Sequence, residues 1–80
     1  MQETRIKDGD FVRHFKGNFY KVLFTNAHYS ENHSLQLVVY QSQETGEIWV
    51  RPYEMFMSKV DKMKYPNSLQ EYRFERFIKA

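Results

Sequence analysis

The chain contains no cysteine, only three glycines and two prolines, and no apolar run near the roughly 20 residues a membrane-spanning helix requires. Without cysteine, neither a disulfide framework nor a thiolate zinc site can be built. Glycines at positions 9, 17 and 46 stand too far apart to form a phosphate-cradling loop. No G-x-S-x-G elbow occurs, so a Ser-His-acid hydrolase lacks its nucleophile turn. The opening Met1-Gln2-Glu3-Thr4-Arg5 does not carry the basic-then-apolar pattern of a secretory signal. Neither sign of charge dominates: twelve Lys/Arg and ten Asp/Glu are interspersed and give +2, not the dense stripe of a strong phosphate binder. These absences imply a cytoplasmic protein with no membrane association, and no cofactor is indicated.

What is present is aromatic. Seven Phe, six Tyr and one Trp make up 18% of eighty residues, and aromatic side chains bury unusually large areas each. Residues 1–80 read as a single domain, with 1–8 a loosely ordered lead-in. A core this small depends on using every apolar residue, or on a second copy of the chain.

Period-two alternation dominates. Asp8-Gly9-Asp10 marks a turn, Asp10 to Phe15 a strand, Gly17-Asn18 a second turn, and Phe19 to Thr25 a second strand. The polar stretch Asn26 to Ser34 reads as a loop. Leu35 to Ser42 forms a third strand, Glu44-Thr45-Gly46 a turn, and Ile48 to Val50 a fourth, ended by Pro52, which has no N–H to donate. Tyr53 to Met57 suggests one helical turn carrying Met55 and Phe56 inward, and Ser58 to Lys62 a short strand around Val60. Ser68-Leu69-Gln70-Glu71 has capping-box spacing and predicts a helical turn, followed by an extended tail to about Ile78. The class is mostly β: a small SH3-like barrel of about five short strands with one or two helical turns.

The motifs His14-Phe15-Lys16-Gly17, Val38-Val39-Tyr40-Gln41 and Trp49-Val50-Arg51-Pro52, with Tyr72-Arg73-Phe74-Glu75, occur in an order that resembles a known set. It is that of the uncharacterised bacterial domain-of-unknown-function family numbered sixteen fifty-three. The resemblance runs from about Asp8 to Ile78 and departs from the family pattern at Asn32-His33-Ser34. It implies an SH3-like barrel and no activity.

Strand parity separates Tyr20, Val22, Phe24, Val38, Tyr40, Ile48 and Val50 on one face from Phe19, Leu23, Leu35, Leu37, Val39, Gln41, Trp49 and Arg51 on the other. Both faces are apolar, so the second requires a cover. The tail residues Tyr72, Phe74, Phe77 and Ile78, a homodimer interface, or a ligand each supply one. Trp49 and Arg51, two apart on one strand, point the same way. An indole beside a guanidinium stacks a flat group while holding an anion, or serves as a brace with Glu47 or Glu54. Gln41 adds a donor and an acceptor on the same side, and His14 and Lys16 a cationic rim. The candidate ligand-binding set is therefore Trp49, Arg51, Gln41, His14 and Lys16.

His28, Ser30, Glu31 and His33 sit close in sequence, but no further ligand completes a tetrahedral metal site, so neither a metal nor a catalytic residue is assigned. The reading is a binding or accessory module for a planar anionic small molecule or a protein partner. Single-stranded nucleic-acid binding stands second, weakened by the modest charge. A minimal enzyme with His28 or His14 as general base stands third.

Overall fold

The computed structural model describes residues 6–77. Gly17, at φ +109°, supplies the left-handed backbone that reverses the chain between the first two strands. The elements are β1 (Phe11–His14), β2 (Phe19–Tyr29), β3 (Asn32–Ser42), β4 (Ile48–Pro52), α1 (Tyr53–Phe56) and β5 (Phe74–Arg76). They form one antiparallel sheet in the order β4-β3-β2-β1-β5. Its outer strands β4 and β5 do not pair with each other, so the sheet is open and not the closed barrel that the strand pattern suggests.

The stretch 26–34, whose polarity suggests a loop, is mostly strand. β2 and β3 continue as a long polar hairpin, with Ala27 opposite Leu37 and His28 opposite Gln36. Backbone pairing there needs no apolar side chain, and the Gln36 amide donates to the Thr25 carbonyl at 2.7 Å.

Side-chain direction is the larger correction. Tyr40 lies opposite Trp49, and Val38 opposite Arg51. Directly opposed residues share a face, so Trp49 and Arg51 lie on the side of the buried Val22, Val38 and Tyr40. Ile48 and Val50 point outward and are more than half exposed. In Ile-Trp-Val every residue is apolar, so alternation carries no phase there. Simple parity also puts Phe24 inside. A bulge between Val22 and Phe24 reverses that parity and turns Phe24 out, leaving it 58% exposed.

The core is Ile6, Val12, Val22, Val38, Tyr40, Phe56, Met57 and Phe74. Ile6 is sealed in, which corrects the loose lead-in at that position; residues 1–5 lie outside the described residues. α1 carries Phe56 inward, followed by Met57, while Met55 faces solvent. The tail returns through this core: Phe74 stacks on Phe56, and Phe77 packs beside Phe19 on the outer face with ring centroids 4.8 Å apart. Ile78 lies outside the described residues.

The strand around Val60 reduces to one bridge, Lys59 with Tyr72. The helical turn expected at 68–71 does not form, because the Ser68 hydroxyl caps the Gln70 amide locally at 3.2 Å. A turn occurs instead at 61–65, where the Tyr65 amide donates to the Asp61 carbonyl at 2.8 Å and the Met63 amide to the Asp61 carboxylate at 3.0 Å.

Candidate functional site

The inner face of the sheet ends in cations. β1 delivers His14, whose imidazole lies 4.6 Å from the Phe15 ring and 4.9 Å from Phe74. The Lys16 backbone amide donates to His14 Nδ1 at 3.1 Å, which leaves the proton of the neutral ring on Nε2. β4 delivers Arg51: its Nε donates to the Tyr40 hydroxyl at 3.3 Å, and its guanidinium lies 5.7 Å above Phe74. Lys16 Nζ stands 5.3 Å over the Tyr65 ring. Arg73, entering β5, completes the group.

Burial first, then the charges of Arg51, Lys16 and Arg73, lower the His14 pKa to about 4. The imidazole is thus neutral near pH 7 and offers Nε2–H as a donor. The Tyr20 hydroxyl is shifted upward, chiefly by burial and the neighbouring Tyr40.

Acceptors are few. Lys59 pairs with Glu71 at 3.2 Å, away from this cluster, whereas Lys16, Arg51, Lys64 and Arg73 have no carboxylate within 4 Å among the described residues. The buried Arg73 Nε has no hydrogen-bond partner among the described residues. Asp61 is the acid lining the hollow, and its carboxylate already accepts from Met63. A buried donor without an acceptor, beside guanidinium and ammonium groups without counter-ions, forms an anion-receptive surface.

Two hollows meet on this cluster. One, about 300 Å³, is walled by His14, Lys16, Arg51, Asp61, Tyr65 and Arg73. The other, about 240 Å³, lies between Tyr20, Tyr40, Trp49, Arg51 and Phe74. Trp49 is 49% exposed, and no aromatic or cationic side chain stacks on it among the described residues.

Four of the five residues singled out from the sequence therefore border one place: His14, Lys16, Trp49 and Arg51. Gln41 does not. It sits opposite Ile48 on the outer face, and its amide donates to the Gly46 carbonyl at 2.9 Å, bracing the β3–β4 turn. Glu47 and Glu54 are not ion-paired to Arg51, so the expected carboxylate brace gives way to Tyr40 and Phe74. Sequence reading missed Arg73, Lys64 and Tyr65. Arg73 stands inside the Tyr-Arg-Phe-Glu motif, which was the available signal; Lys64 and Tyr65 belong to a turn that no periodicity marks.

His28 and His33 fall on opposite strands of the exposed β2–β3 hairpin. No group of three metal-ligating side chains occurs among the described residues. No helix among them is long and apolar enough to cross a membrane.

These features define a class: a small open antiparallel sheet whose inner face ends in an aromatic-lined cationic hollow. The chain belongs to the family described as "Protein of unknown function (DUF1653)", whose model matches residues 10–77. No curated protein and no solved structure matches the chain.

Proposed function

We propose that the chain is a non-enzymatic binding module for a planar anionic ligand. The observation that supports it is the convergence of Arg51, Lys16 and Arg73 on a neutral His14, with no carboxylate of the described residues within 4 Å of these cations, beside the unstacked Trp49. The anion is held by the two guanidiniums, the Lys16 ammonium and His14 Nε2–H, and the flat portion stacks on the indole. The first hollow lies at the lower limit of the roughly 300–1,000 Å³ typical of small-molecule sites and the second just below it, and the two adjoin at His14, Lys16 and Arg51. A His14 pKa near 4 is poorly matched to general-base work at neutral pH, which counts against the enzyme reading. An SH3-like ancestry for the open sheet and a cytoplasmic, bacterial setting belong to the same proposal. They rest on the family resemblance and the cysteine-free composition.

The test uses phenyl phosphate, an anion with one flat ring. Titration into the protein is expected to quench Trp49 fluorescence and shift the His14 ring resonances together, and Arg51→Gln is expected to weaken binding about tenfold or more. Absence of any response at Trp49 and His14 up to several millimolar ends the reading.

A further inference from the structure

A third hollow continues the first two. It holds about 320 Å³ and is walled by Phe15, Lys16, Lys64, Tyr65 and Pro66. Lys16 borders all three hollows, His14 and Arg51 border the first two, and Phe15, Lys16 and Tyr65 border the first and third. The result is one groove with a fixed chemical order. Aromatic surface at Trp49 comes first, then the cations Arg51, Arg73 and Lys16 with the single acid Asp61, then aromatic and proline surface at Tyr65 and Pro66.

A ligand with one ring and one anion fills only the Trp49 half. The whole groove matches flat group, anion, flat group, which is the repeat of a single-stranded nucleic acid. We propose that the groove binds consecutive nucleotides of a single strand. One base stacks on Trp49, the next packs against Tyr65 and Pro66, and the linking phosphate lies among Arg51, Arg73 and Lys16. The inference rests on the anion-binding reading above and extends it to the ligand's class.

Two further observations shape it. Within a duplex each base is covered by its neighbours and cannot present a face to Trp49, so paired strands are excluded from this mode. Glu44 and Glu47 act electrostatically on Tyr20, at the Trp49 end of the groove, and repel a further phosphate there. The footprint is therefore short. The net charge of +2, which argued against nucleic acid over the whole surface, is not the relevant quantity for a local cluster of four cations against one acid, Asp61, none of them ion-paired among the described residues.

The experiment exploits the single tryptophan. Trp49 fluorescence is followed while the full chain is titrated with phenyl phosphate, thymidine monophosphate, single-stranded hexathymidylate and a long GC-rich duplex that stays paired throughout, at 50 and 200 mM salt. The hexamer is expected to bind about tenfold or more tighter than the mononucleotide, since a second stacked base adds roughly 1–3 kcal/mol, and the duplex is expected not to compete. One linking phosphate among Arg51, Arg73 and Lys16 and a second beside Lys64 give a salt slope of roughly −1.4, so the hexamer loses about 7-fold across this salt range.

Tyr65→Leu removes the hexamer's advantage over the mononucleotide. Should that variant unfold, Lys64→Gln, at the exposed end of the same hollow, lowers the salt slope by about 0.7. If phenyl phosphate binds while the hexamer is no tighter than the mononucleotide, the single-strand proposal is overturned and the anion site stands. If neither phenyl phosphate nor any nucleotide binds, both fall.

Discussion

The ring of Phe74 lies parallel to that of Phe56, with centroids 4.0 Å apart and 6° between the planes. This contact joins the end of the chain to the helical turn after β4, and the same Phe74 ring supports both His14 and Arg51. Core and candidate site therefore share Phe74, as they share Tyr40. Phe74→Ala is expected to cost about 3–5 kcal/mol, comparable to the whole stability of a domain this small, and to leave much of the chain unfolded at 25 °C. Phe74→Leu is expected to remain folded with a lowered urea midpoint. Equilibrium urea unfolding checks both.

His14 makes stability pH-dependent, with a defined sign. Its pKa is about 4 in the folded chain against the ordinary 6.5 of a free imidazole, so between these values the unfolded chain binds more protons. The stabilisation is fully present above about pH 6.5 and is lost as the pH falls toward 4. For a half-buried imidazole, solvent screening limits the effect to about 1–2 kcal/mol. His14→Gln is expected to flatten the stability profile over this window. An NMR titration giving His14 an ordinary pKa would remove the explanation.

Arg51 is the largest charge acting on His14 after burial itself. Arg51→Gln is expected to raise the His14 pKa toward 6.5, and saturating phenyl phosphate to raise it in the intact protein by supplying a counter-charge. Two-dimensional spectra of the imidazole protons measure both shifts. The solvent-facing His28 on the hairpin arm serves as the internal control.

Gln70 is buried and ties β1 to the segment before β5. It accepts from Arg13 Nη1 at 2.7 Å and donates to the Arg13 and Tyr72 carbonyls at 3.1 Å each. Gln70→Leu leaves those groups unmatched and is expected to cost about 2–3 kcal/mol by thermal or urea unfolding.

Val50 and Val38 separate the two faces. Val50→Thr on the exposed outer side is expected to change stability by less than about 0.5 kcal/mol. Val38→Thr, fully buried, places an unpartnered hydroxyl in the core and is expected to cost about 1–3 kcal/mol. Equal effects would contradict the register between β3 and β4.

Much of the strand pattern was legible because alternation and turn residues are local properties. Gly17-Asn18 and Glu44-Thr45-Gly46 lie where β1 gives way to β2 and β3 to β4. Trp49 and Arg51 were legible as a pair because residues two apart on a strand always share a face. Which face they share was not legible. That depends on the partner strand's register, Tyr40 to Trp49 and Val38 to Arg51, just as the outward turn of Phe24 depends on a bulge after Val22 that no composition signals. The same ambiguity of phase is what brings Gln41 into the site on sequence grounds.

Residue order alone determined a cysteine-free, aromatic-rich β protein with an indole and a guanidinium side by side, since these follow from side-chain chemistry and the two-residue strand repeat. Tertiary structure decided that the sheet stays open, that Arg73 arrives from far along the chain to complete the cationic cluster around His14, and that Gln41 turns away from it. All three outcomes depend on which segments come to lie side by side, and the pattern of a single strand carries no information about the strand that will lie beside it.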